Sequence, residues 1–438
     1  MTAMPPFRSK PKNPSSHAPP KKMQSCGRRT TPPPPPCPSP SPTAGAASAA
    51  RPSRWNDSDV NFLVAINSFK GTASSRDAGN AVARGLAARL PDAAVRVLAV
   101  ADGGDGTVDA FHLALGGRFI PVTVHGPLGE TRDAPILILD DGAAVIEMAA
   151  ASGLALVPPE LRNPLHTSTF GVGEMLRAAL CFGVRKIFAG LGGSATVDGG
   201  TGAAAALGIR FIDASGRSVQ PSGGSLSRIV SIDASGLDPR LKEARIIALS
   251  DVDNPLLGEN GAARVFGPQK GADAVAVEML EAGLKNLAAA ASPGRDLRNE
   301  PGAGAAGGLA FGFMTFLGAQ LLPGASAILD AIRFDEALSW ADVIITGEGR
   351  LDAQTLRGKA PETVKNRAKS AGKCVAAFTG AVDRAAGAAD GYDAAFALLD
   401  AFGEAASIND TLNSLEKLAF DNAPEIAAKG TGNVRHTQ

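Results

Sequence analysis

Short, nearly continuous apolar runs recur along the chain with the length and texture of buried strands. They fall at residues 60–66 and 95–100, at Val184, Ile187 and Phe188, at 246–249, and again in ADVIITG, CVAAFTG and AAFALLD after Ala341. Between them, apolar positions return every three or four residues. Ala78, Val82 and Leu86 do so behind Ser74 and Asp77, a capping-box-like helix start, and residues 172–182 and 277–291 read as further helices. At both ends of the chain the order is strand, glycine-dense loop, helix, which predicts a parallel sheet flanked by helices with ligands at the strands' C-terminal ends. From about Thr123 the pattern changes. GPLGE (126–130) and Asp141-Gly142 are turn signals between short runs and predict antiparallel pairing, while PGAGAAGG (301–308) precedes an apolar helical stretch reaching Leu322. Similar ends around a different middle predict an α/β protein with an inserted domain.

Composition narrows this picture. A chain of 438 residues, 45% hydrophobic and 20% charged, suits two globular domains, and no apolar run approaches the length of a membrane span. Residues 1–58 read as a disordered tail: Pro32 to Pro36 are unbroken and apolar side chains are few. Nine lysines and arginines from Arg8 to Arg54 face Asp57 alone, so the zero net charge combines a basic tail with an acidic body. An acidic body argues against nucleic acid as a partner. The tail lacks a secretory apolar segment, so the expected location is cytoplasmic, and the tail itself reads either as a targeting-like extension or as translation from an upstream start. Scattered cysteines and histidines give no metal-site spacing.

The glycines, 51 in all, cluster in loops that carry charge. The central one is GLGGSATVDGGTGAAAA (190–206), between a strand-like run and a helix start. Gly192 and Gly193 would let backbone N–H groups approach a phosphate, Ser194 and Thr196 add hydroxyls, and Asp198 suits a proton acceptor or a metal-side carboxylate. A ligand-free structural turn is the other reading of such a loop. Asp102 and Asp105 flank Gly103 and Gly104, Asp251 and Asp253 precede Asn254, and Gly347 and Glu348 precede Asp352. Lys70, Lys270 and Lys359 each sit beside a glycine. Phosphoryl transfer needs this inventory of lysines and N–H groups for phosphate, carboxylates for a metal and one base near the acceptor hydroxyl. In RNPLHTST, Arg162 could clamp a carboxylate while Thr167, Ser168 and Thr169 bond hydroxyls, with a helix cap as the alternative. No GxxxxGK[ST] is present, and the GxGxxG of Gly302, Gly304 and Gly307 follows a charged stretch instead of a strand, so it fails as a dinucleotide fingerprint.

In order, FKG, ADGGDGT, EMAAASGL, RNPLHTST, GGSATVDGG, DVDNPLLG, GPQKGA, PGAGAAGG and TGEGRLDAQT give a chain that resembles the class I glycerate kinases over about residues 60–400. The resemblance implies a kinase using ATP and Mg2+ on D-glycerate, usually at the 2-hydroxyl. Phosphorylation at the 3-hydroxyl, a related hydroxy-acid acceptor and a non-catalytic binder on the same scaffold stay open. It also implies a discontinuous Rossmann-like domain (59–135 and 339–438), a mixed α/β domain inserted at 136–338, and an active site in the cleft between them; homo-oligomerisation is left open. Residue chemistry and resemblance together put Asp198, Lys70 and Lys270 in catalysis. Arg162, Thr167, Ser168, Thr169 and Asn254 are assigned to the acceptor. Gly192, Gly193, Ser194, Thr196, Gly103, Gly104, Gly347, Glu348 and Lys359 are assigned to the nucleotide, and Asp102, Asp105 and Asp253 to the metal. Three positions depart from the family pattern: Asn67 where Asp is common, Asp105 for Glu, and Val197 for Asn.

Overall fold

Strand Asn61–Ile66 buries both of its faces, and that sets the architecture. Phe62, Val64 and Ile66 point one way, Leu63 and Ala65 the other, and all five are essentially inaccessible. The computed structural model describes residues 60–291 and 296–434, so the tail expected at 1–58 lies outside the described residues. Asn61–Ile66 lies fourth in a five-stranded, wholly parallel sheet, in the order Ala394–Ala397, Cys374–Thr379, Val343–Gly347, Asn61–Ile66, Ala94–Val97. Its outer face packs under helix Ser75–Arg89 and the C-terminal helix Thr411–Val434, with Val82, Leu86, Leu415, Leu418 and Ile426 closing the layer. Ser74 accepts the backbone N–H of Asp77, the expected cap.

A second, mixed sheet has six strands in the order Gln320–Leu322, Arg245–Leu249, Lys186–Gly190, Ala144–Glu147, Ile136–Ile138, Arg118–Ile120. The first four run parallel and the last two antiparallel. Two details differ from the sequence reading. Arg118–Ile120 joins this sheet, although the pattern grouped it with the other, because three half-exposed residues carry no period by which a sheet can be recognised. The apolar stretch before Leu322 carries the helix Ala305–Leu317, kinked near its start where Ala306, Gly307 and Gly308 are left-handed; Gly318 then turns left-handed and Gln320–Leu322 becomes an edge strand. GPLGE turns a separate antiparallel ribbon, Thr123–His125 with Thr131–Asp133.

One apolar core serves both sheets. Leu63, Ile344 and Val375 of the first meet Leu137, Val145, Phe188 and Ile247 of the second, with Phe111 and Ile328 from helices Thr107–Leu115 and Gly324–Ala331 between them. The C-terminal ends of both sheets therefore open onto common ground. No described helix is long and apolar enough to cross a membrane.

Candidate active site

Two loops, one from each sheet, touch backbone to backbone at these ends. Gly192 N–H donates to the Gly103 carbonyl at 2.9 Å across the sheets, while within the second sheet Leu191 N–H donates to the Leu249 carbonyl at 3.1 Å. A side chain at Gly192 would bring its first carbon within 2.4 Å of Gly104 Cα, and one at Gly103 within 2.5 Å of the Leu249 carbonyl. Gly103 also has φ +90°, a conformation natural to glycine alone. These glycines are required for the loops to cross.

Two hollows flank the crossing and share Gly192, Ser250, Val252 and Phe266. The larger, about 710 Å3, is lined by Lys70, Arg162, Lys270, Asp105, Glu147 and the loop from Gly192 to Ser194. Ala306, left-handed at φ +53°, also lines it, so strained backbone sits against the cavity. Lys270 is 2% exposed and donates to Ser194 Oγ and to the Thr196 carbonyl, each at 2.7 Å. Burial pulls its pKa down to about 7, and the nearby charge of Asp198 opposes the fall. Glu147, ending strand Ala144–Glu147, accepts the Val108 N–H at 2.8 Å at the start of helix Thr107–Leu115. Burial raises its pKa to about 7, reinforced by the charges of Asp105 and Asp109 and opposed by the Val108 and Gly106 amides.

The smaller hollow, about 280 Å3, is lined by Asp102, Asp251, Asp253, Asn254, Arg357 and Lys359 together with Gly103 and Gly104. Asp251 accepts the Ala325 N–H at 3.1–3.2 Å where helix Gly324–Ala331 begins. Burial and then the charge of Asp102 raise its pKa to about 7, while Lys359 works the other way. Glu348, behind this wall, is also raised to about 7 by burial, against the Thr355 hydroxyl and Lys359. Among the described residues, no three carboxylate, histidine or cysteine side chains are gathered tightly enough to cage a metal. The wall nonetheless fits magnesium, which takes one or two carboxylates and completes its shell with phosphate and water.

Several assigned residues lie elsewhere. Asp198 is fully buried and lines neither hollow. It accepts Thr169 N–H and Oγ1–H, both at 2.8 Å, Gly200 N–H at 3.1 Å and Gly202 N–H at 3.2 Å. Both its oxygens are thus occupied in knitting the RNPLHTST loop to helix Thr201–Ala206, so it is not placed as the base. Thr169 is its partner, and Thr167 donates to the Ala195 carbonyl at 3.0 Å. Ser168 Oγ accepts the Phe170 N–H at 3.3 Å, so the Thr-Ser-Thr run braces loops and lines neither hollow, whereas Arg162 does face the larger one. Thr196 contributes its carbonyl to Lys270 from a buried position. Gly347 is packed against the Phe378 carbonyl and Glu348 is buried, so neither touches a hollow directly. Asp105 lines the larger hollow, apart from Asp102 and Asp253 in the smaller. Asn254 lines the smaller one and donates to the Asn260 carbonyl at 2.8 Å. The sequence reading left out Glu147, Ser250, Gln269 and Arg357, and it named Asp251 among the loop carboxylates without giving it a role. The available signal was a carboxylate at a strand's C-terminal end, which EMAAASGL and DVDNP both carry.

Comparison with known proteins shows the family to which the chain belongs. The family model described as the glycerate kinase family matches residues 62–427. Glycerate kinase from Bacillus subtilis (strain 168) is 44% identical over 379 residues, covering 84% of this chain and 98% of that one. Glycerate 2-kinase from Escherichia coli (strain K12) is 42% identical over 368 residues, covering 83% and 95%. A crystal structure from Salmonella typhimurium LT2, assigned as glycerate kinase 2, superposes with a TM-score of 0.74 at 40% identity, covering 85% of this chain and 99% of that one. The chain belongs to the glycerate kinase family.

Proposed function

We propose that this kinase transfers the γ-phosphoryl group of ATP to the 2-hydroxyl of D-glycerate across the crossing of the two glycine loops. The observation that carries the reading is the pair of joined hollows at the ends of both sheets, with Lys70, Arg162 and Lys270 around one and Lys359 and Arg357 in the other. Arg162, a planar fork of donors, suits the glycerate carboxylate. Gly192 belongs to both walls, so a phosphate chain laid over it reaches from the smaller hollow into the larger. Lys70 and Lys270 then meet the charge that develops on the transferred group, the latter from a position fixed by Ser194 and Thr196. Asp102, Asp251 and Asp253 would hold magnesium, which when bound neutralises phosphate oxygens.

Two units, 59–135 with 339–438 and 136–338, remain our proposed division, with the start of the second moved forward to include Arg118–Ile120. The test of function is a coupled assay of ADP release from magnesium ATP and D-glycerate, with phosphorus NMR of the product. A 2-phosphoglycerate signal is expected. No release above a heat-killed control overturns the proposal, and a 3-phosphoglycerate signal overturns its regiochemistry.

A further inference from the structure

Asp198, the base that the sequence suggested, is sealed in the wall, and the larger hollow holds a carboxylate that the sequence reading did not include. We propose that Glu147 is the general base, receiving the proton of the glycerate hydroxyl as its oxygen bonds to the γ-phosphorus. The bond between that phosphorus and the β–γ bridging oxygen breaks, its electron pair leaves with ADP, and the proton rests on the Glu147 carboxyl. This inference rests on the glycerate kinase reading.

Three observations converge on Glu147. It ends a strand of the second sheet in register with Gly190, so it stands beside the root of the 190–200 loop. It lines the same hollow as Lys70, Arg162 and Lys270, the cations that would gather the acceptor carboxylate and the phosphoryl group. Its bond to the Val108 N–H fixes the carboxyl against a helix start, which holds a base in one place. Asp105, the other carboxylate of this hollow, is exposed and has no such backbone anchor among the described residues. Burial, aided by Asp105 and Asp109, brings Glu147 to titrate near the working pH, where a base transfers protons most effectively. The cations across the hollow act in the opposite direction, and Lys270 titrates in the same region.

Glu147→Gln separates catalysis from structure, because the amide oxygen can still accept the Val108 N–H. On the full chain, kcat is expected to fall by about 10²–10⁴-fold. KM for ATP and glycerate should stay within a few-fold, and the melting temperature should not drop. The wild-type kcat profile should show an acid limb near pH 7 that Glu147→Gln lacks and Glu147→Asp retains at reduced amplitude. Glu147→Gln keeping more than a tenth of the wild-type kcat would overturn the assignment. So would a lost kcat with the acid limb intact, or a lost kcat that follows loss of fold while Glu147→Asp keeps full activity. If the wild-type chain itself released no ADP, the glycerate kinase reading would fail first, and the two failures are thereby told apart.

Discussion

Replacing Asp198 by Asn should damage the fold first and the chemistry second. The carboxylate is wholly inaccessible and takes four donors: three on one oxygen, from Thr169 N–H, Thr169 Oγ1–H and Gly202 N–H, and one on the other, from Gly200 N–H. An Asn whose oxygen keeps the threefold position must turn its NH2 group toward the Gly200 N–H. One charge-assisted bond is lost and a buried donor is left without an acceptor, each about 1–3 kcal/mol. Relief of carboxylate burial works in the other direction, so a net loss of about 2–3 kcal/mol is reasonable. At roughly 2 cal/mol/K of unfolding entropy per residue, a chain this long moves its Tm by about 1–1.5 °C per kcal/mol, giving a drop of about 3 °C. Calorimetry with turnover measured per folded molecule tests this. We expect a lower Tm and a kcat reduced no more than about tenfold, through the loosened 190–200 loop and its hold on Lys270. An unchanged Tm with kcat down a hundredfold or more would refute the structural role and return Asp198 to the mechanism.

Other outcomes follow from the same geometry. Gly192→Ala drives a methyl group to 2.4 Å from Gly104 Cα and should lower Tm by several degrees and kcat/KM at least tenfold; an unchanged melt would show that the loops can part freely. Lys70 is exposed, so Lys70→Ala should raise KM for ATP or glycerate while leaving Tm alone, whereas Lys270→Met strips the bonds to Ser194 and Thr196 and should reduce both stability and kcat. Equal melts for the two lysine variants would contradict the burial of Lys270. Glu147 has a folded pKa of about 7 against the ordinary glutamate value of 4.5, so between those values the folded chain holds a proton there that the unfolded chain has released. Its favourable contribution is complete below about pH 4.5 and is lost as pH rises through 7, worth about 3 kcal/mol. Glu147→Gln should therefore match wild type in Tm at pH 5 and exceed it at pH 8. Lys270 is common to both proteins and cancels in the difference, so a constant gap across that range would refute the shifted carboxyl.

The strands and loops were legible because their signals are local. A continuous apolar run such as VNFLVAI, or a cap such as Ser74 with Asp77, is decided by a few neighbouring residues. The direction in which a loop side chain points is decided by what comes to meet it from far away in the chain. Asp198 resembled a ligand-facing carboxylate among glycines, yet Thr169, 29 residues earlier, turns it inward. Val197, which stands out as a departure in the motif, faces apolar neighbours that include Leu284, Leu287 and Phe311, so no polar group is missing from the hollow there. Asn67 keeps its side chain at the site through a long contact, 3.5 Å, from its Nδ2 to Asp102, where an Asp would face like charge. Glu147 escaped notice for the opposite reason, since its motif is mostly alanine and its chemistry depends on a helix start 39 residues away.

The shared core explains why these carboxylates can be held where they are. Ordinarily, carboxylates so close to one another, beside a site for a highly anionic nucleotide, would spread apart or bind counterions. Here Glu147 and Asp251 issue from the ends of neighbouring regions of one sheet, and Asp102 and Glu348 follow strands of the other. Leu63, Ile344, Phe188 and Ile247 hold both sheets in a single apolar cluster, so repulsion cannot be relieved by moving the supports. It is relieved by protonation instead, and burial moves Glu147 into the neutral range before any substrate arrives. Lys270 is moved there from the other side by the same burial. A hollow walled by these two groups can exchange a proton near pH 7 at little electrostatic cost, which a surface Asp–Lys pair, titrating far from neutrality at both ends, could not do.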